Sequence, residues 1–151
     1  MLRRIVQTDG GNMAALIVRL ALGIVMFAHG AQKMLGLYGG DGFQGTMSFF
    51  TGTMHVPAVL AFLAIQAEFL GSLGLITGFL TRIAAFGIFC NMAVAVVMVH
   101  CHVGFFMNWL GQQQGEGFEY HILAIAMAIA LMMRGGGAAS VDAAWGRNMP
   151  A

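Results

Sequence analysis

Residues 57–79 read PAVLAFLAIQAEFLGSLGLITGF, and this stretch decides the fold. It is a long apolar run with one ionisable side chain, Glu68, at its centre. A helix of about 20 apolar residues crosses the hydrocarbon of a bilayer, so the run is long enough. A carboxylate at that depth costs roughly 2.5–3.5 kcal/mol on insertion scales. Glu68 must therefore face other helices or a wet cavity, and the rest of the chain reads as the scaffold around it.

Composition points the same way. Hydrophobic residues make up 59% of the chain and charged residues only 9%, where a soluble domain carries about 25% charged. The mean hydropathy is +0.81. We read an integral membrane protein with a single domain over 1–151. A net charge of +1 gives no sign of nucleic-acid binding. Twenty-two glycines against two prolines suit helices that approach closely through small residues. The two cysteines, Cys90 and Cys101, would stand about 16 Å apart on one helix, too far to bridge. They read as packed apolar side chains.

Taken in order, the chain predicts four spans, at about 13–35, 57–79, 83–102 and 118–133. The first follows a polar start with Arg3 and Arg4. It is too long for a signal-peptide core and lacks a small-residue cleavage site, so it reads as an uncleaved helix. Its polar residues Arg19, His29 and Lys33 lie on one side at about 100° per residue. Between the first two spans, Phe43, Met47, Phe50 and Met54 recur at helical spacing. They predict a short amphipathic helix at the membrane interface, or a lid over the mouth of the bundle. Gly71, Gly74 and Gly78 form a small-residue stripe near Glu68. The fourth span is the shortest, at about 24 Å, and fits a slightly thinned bilayer. The tail through Ala151 is mixed in character.

Positive charge sets the expected orientation. Four spans leave Arg3, Arg4, Arg82, Arg134 and Arg147 on one side and only Lys33, at a helix end, on the other. That bias predicts both termini in the cytoplasm. Ionisable groups then concentrate in the outer half: Glu68 near mid-membrane, His29 about 7 Å outward of its span's centre, Lys33 further out, and His100, His102, Glu119 and His121 at the outer helix ends.

Three readings fit that concentration. A quinone pocket needs apolar walls and a His or carboxylate that exchanges protons near the carbonyl oxygens. Glu68 and His29 suit the proton-exchanging roles. Lys33, His100, Glu119 and Phe105 suit the holding of the ring. A metal or haem site is the second reading, but no H-E-x-x-H or C-x-x-C-H spacing is present, and we expect no metal. The third is structural, with Glu68 neutralised by Lys33 or His29 to pin helices together. His102, His121 and Glu119 read more readily as interfacial and solvated, although Glu119 could reach the pocket.

The order and spacing of these residues resemble the DoxX family of small four-helix bacterial inner-membrane proteins. The resemblance runs through Arg19-Leu20-Ala21-Leu22-Gly23 to His29-Gly30 and Lys33, then Glu68 with Gly71 and Gly74, and Gly78-Phe79-Leu80-Thr81-Arg82. It continues through His100, Gly104-Phe105-Phe106, Gly117-Phe118-Glu119-Tyr120 and Ser140-Val141-Asp142. The family takes its name from a subunit of a thiosulfate:quinone oxidoreductase, and other members are linked to membrane redox complexes. The resemblance implies an all-α, membrane-embedded four-helix bundle in the bacterial inner membrane. It further implies a redox-associated protein binding a quinone or similar small molecule, as a subunit of a larger oxidoreductase system or as a homo-oligomer. The alternative is a non-catalytic membrane anchor or assembly partner for a soluble redox enzyme.

Overall fold

Asn12 begins the first long helix by accepting a hydrogen bond from Ala15 N at 3.0 Å through its side chain, which satisfies one of the orphan amides of the first turn. The computed structural model describes residues 2–147, without the side chains of Leu2 and Arg4. The last tail residues, 148–151, and the part of Arg4 in the charge bias lie outside that description. The described residues are helical with no strand. The helices are α1 (Leu2–Val6), α2 (Met13–Leu35), α3 (Gly42–Ser48), α4 (Ala58–Thr77), α5 (Thr81–Met98), α6 (Glu119–Arg134) and α7 (Val141–Arg147).

Three of them, α2, α4 and α5, are long and apolar enough to cross a membrane. With α6 they close a ring in which α2 packs on α4, α4 on α5, α5 on α6 and α6 on α2. The core runs down the middle of that ring. Leu22 and Met26 of α2 meet Leu75 of α4, Ala85, Ile88 and Met92 of α5, and Ala124, Ala128 and Leu131 of α6. Outward-facing positions keep large apolar side chains such as Ile17, Leu63, Phe86, Val97 and Leu123 exposed. That is the reverse of a soluble bundle and what lipid contact requires.

The expected segment between the first two spans is an ordered cap. A 3-10 turn at Leu37–Gly39 leads into α3, which continues as a π turn over Phe49–Thr53. Thr46 is buried and its hydroxyl donates to the Lys33 carbonyl at 3.2 Å. Phe43 meets Phe62 of α4 edge-on. The segment therefore leans on the ends of α2 and α4, at the mouth of the bundle. The third span ends earlier than the sequence predicts, because α5 stops at Met98 and His100–His102 forms a separate 3-10 turn.

The first and last described helices, α1 and α7, meet at the other end. Gly78 closes α4 in the left-handed conformation, at φ 69°, which glycine adopts without steric cost. A side chain there would collide with Ser140. Arg19, only 1% exposed, sends its guanidinium into this corner. Its Nε donates to Gly136 O, Nη1 to Leu75 O and Ile76 O, and Nη2 to Ala138 O and Ala139 O, at 2.7–3.2 Å. Asp142 of α7, also buried, accepts from Leu80 N and Thr81 N at 2.8 Å. It supplies the N-terminal cap of α5 from 61 residues along the chain. Phe79 stacks on Trp145. Arg82 bonds the carbonyls of Met132, Met133 and Gln7. The mixed tail is thus a folded clamp over the helix ends.

Candidate functional site

Away from the termini the bundle opens. Gly30 of α2 lies so close to Glu68 and Phe69 that an added Cβ would stand 2.7 Å from the Phe69 backbone. This close approach carries the α2 side chains past Glu68. Lys33, one turn further on, then reaches it, with Nζ 2.6 Å from Glu68 Oε2. The contact is ionic, and its angles fall outside hydrogen-bond geometry. Glu68 is 3% exposed, while the Lys33 side chain keeps 29% of its surface accessible. The carboxylate is therefore buried and its cation is not.

Three further polar groups, Tyr120 and His121 of α6 and His100 of the turn after α5, stand near His29 of α2. His29 stands with its ring 6.3 Å from that of Tyr120, and Tyr120 lies within Coulombic range of Glu68. His121 is 7% exposed, and its ring sits 4.0 Å from that of His100. His100 Nδ1 is 2.7 Å from the carbonyl of Glu116. A carbonyl only accepts, so Nδ1 carries a proton, and in the uncharged tautomer Nε2 is then an acceptor. Two buried polar atoms in this group, Tyr120 Oη and His121 Nδ1, have no hydrogen-bond partner among the described residues. Leaving such a group unpaired costs about 1–3 kcal/mol, so they mark a place where a ligand atom or water belongs.

These side chains form the polar end of a cleft of about 1370 Å³ that follows the faces of α4 and α5. Its walls are mostly apolar, with Met26, Leu63, Ala67, Phe86 and Val94 among them, and Phe49, Phe50 and Met54 of the cap border it. A second cavity of about 260 Å³, lined by Gln32, Asp41, Thr46 and both phenylalanines, meets Lys33 from the cap side. Among the described residues no three His, Cys, Asp or Glu side chains are grouped to hold a metal ion. Cys90 and Cys101 are free thiols.

Of the residues expected from sequence, the cleft brings together His29, Lys33, Glu68 and His100. Glu119 and Phe105 lie outside it. The Glu119 carboxylate accepts from Met107 N at 3.0 Å and Trp109 Nε1 at 3.3 Å, and Glu116 accepts from Asn108 N. Together they hold the loop after α5 in shape. Phe105 packs edge-on against Phe106 and Phe118 in the same loop. Within that loop, the buried Gly117 fits under the carbonyls of residues 104–106.

Tyr120 and His121 are the residues that sequence reasoning missed. We expected His121 to be interfacial and solvated, and it is buried against His100 instead. The available signal was its place in the first turn of α6, three and seven residues before the core positions Ala124 and Ala128. That spacing puts His121 on the buried face.

The comparisons with known proteins accord with this architecture. A sequence model of the DoxX family matches residues 14–101. The chain is 26% identical over 120 residues to a Bacillus subtilis (strain 168) protein named "Putative oxidoreductase CatD", which covers 80% of this chain and 79% of that protein. No solved structure gives a significant match.

Proposed function

Because this chain belongs to the DoxX family, we propose that it is a redox-associated membrane protein whose cleft holds the head of a quinone or a similar small carbonyl compound. The observation that carries this reading is the pair of unpartnered buried atoms, Tyr120 Oη and His121 Nδ1, beside the Lys33–Glu68 ion pair. A quinone ring offers two carbonyl oxygens on opposite edges and two apolar faces. The residues present fit it: Tyr120 donates to one oxygen, the unpartnered His121 Nδ1 donates to the other when it carries the ring proton, and Met26 and Ala67 wall the faces.

Quinone reduction takes up protons with its electrons, so the groups around the ring must deliver protons as well as hold the oxygens. Glu68 and His29 are placed to do so. Lys33 pairs with Glu68 in its buried site and, through its exposed side, connects it with the smaller cavity. Electrons come from a partner, so the chain acts as one subunit of a larger oxidoreductase system. The relative in Bacillus subtilis carries an oxidoreductase name, in keeping with this class. The arginines gathered at the terminal end support a cytoplasmic position for that end by the positive-inside rule, which puts the cleft's polar end in the outer half of a bacterial inner membrane in this reading.

Equilibrium dialysis of a short-chain benzoquinone against the purified protein tests the reading. Wild type should bind, and Glu68→Gln and Tyr120→Phe should each bind about tenfold more weakly. A wild type that does not bind, or variants that bind equally well, would leave the chain a membrane anchor for a soluble redox enzyme.

A further inference from the structure

The cleft is larger than a ring needs. Its volume of about 1370 Å³ exceeds the roughly 300–1,000 Å³ usual for small-molecule sites, and its chemistry is divided along its length. One end holds His121, nine-tenths buried with an unpartnered Nδ1. The remainder is mostly apolar, with Gln66, Thr77 and Asn91 as polar exceptions, and runs between α4 and α5 on the face that carries exposed Leu63, Phe86 and Val94. Small residues keep this groove from filling. Ala64 of α4 and Ala95 of α5 border it, and at Ala67 and Gly87 the helices stand so close that a glycine Cβ would touch at 3.3 Å. On the cap side, Phe49 and Phe50 border the mouth.

From this continuity we infer that the ligand is an amphiphile taken from the bilayer, with its head at the polar end and its apolar chain laid in the α4–α5 groove. The inference rests on the proposed function for the identity of the head and adds the class of ligand and its direction of entry. A free lipid chain would find no use for the polar end. A water-soluble ring would leave most of the groove unfilled. One molecule with both parts accounts for the whole cleft.

The test uses the full chain in phosphatidylcholine nanodiscs and two benzoquinones with the same head, one tailless and one with a decyl chain ending in a diazirine. Photolysis of the tailed probe should place adducts on peptides from α4 and α5, about fivefold or more above those from α2 and α6. The variant Ala64→Phe/Ala95→Phe, whose added rings occupy the groove, should weaken the tailed probe about tenfold and leave the tailless one unchanged. A thermal melt confirms that this variant is folded, and if it is not, the wild-type adduct map decides alone. Adducts spread evenly round the bundle, as for surrounding lipid, or tailed binding that ignores the filled groove, overturns the inference. If neither quinone binds, the quinone head is wrong, and a dodecyl phenol with the same diazirine then decides the groove. Adducts confined to α4 and α5 keep it, and an even spread rejects it.

Discussion

At the terminal end Arg19 places its guanidinium among five carbonyl oxygens with Asp142 nearby, whereas at the other end Glu68 meets a single ammonium and its neighbours keep unpartnered atoms. Both regions bury charge in an apolar bundle. In the first, the five N–H donors of the Arg19 guanidinium find five acceptors, although two buried atoms beyond it, Thr81 Oγ1 and Arg82 Nε, have no partner among the described residues. The second is under-coordinated, which a fold tolerates mainly where something else is to be bound. The unpartnered atoms near Glu68 belong to side chains that line the cleft, whereas Thr81 and Arg82 do not line it, and that separates the structural clamp from the candidate site.

The largest effect expected from breaking this contrast is at Arg19. Arg19→Met would strand five carbonyls and remove the cation near the Asp142 carboxylate, costing about 3–5 kcal/mol. We expect the variant to be lost from the folded fraction on size-exclusion chromatography. Asp142→Asn removes the charged cap of α5 but leaves an amide oxygen that still accepts, so a loss of about 1–2 kcal/mol is expected, read as a lowered melting temperature. A wild-type melt in either case would mean that the clamp is not what holds this end.

At the other end the same kind of change should cost less. In Glu68→Gln the Lys33 side chain is freed but already reaches solvent, so about 1 kcal/mol or less of stability is expected to go, alongside the larger loss of binding. A collapse in expression would show Glu68 to be half of a structural pair. The smallest change carries the most telling sign. Tyr120→Phe deletes a buried hydroxyl that has no partner, so the melting temperature should stay level or rise slightly while ligand affinity falls. A clear drop in stability would mean that the hydroxyl is already satisfied.

Much of this could be read from the residues alone. Hydropathy located the long helices, and Met13–Leu35 has the bounds expected for the first span. The four-residue step from His29 to Lys33 foretold two polar groups on one face. Of the two partners considered for Glu68, Lys33 is the one in contact. Arg19 shares that face, but it lies about 21 Å away along the helix axis from Lys33. Angular position alone could not say that it belongs to a different region.

The sequence by itself determined that apolar helices bury a few costly charges, because solvation in hydrocarbon leaves no other arrangement. It could not determine which of those charges are satisfied. That depends on backbone carbonyls and loop turns brought together from distant parts of the chain: the tail that surrounds Arg19, the loop that draws Glu119 and Phe105 aside, and the turn after Met98 that sets His100 against His121. Such contacts have no period and no motif, and they exist only once the helices have packed.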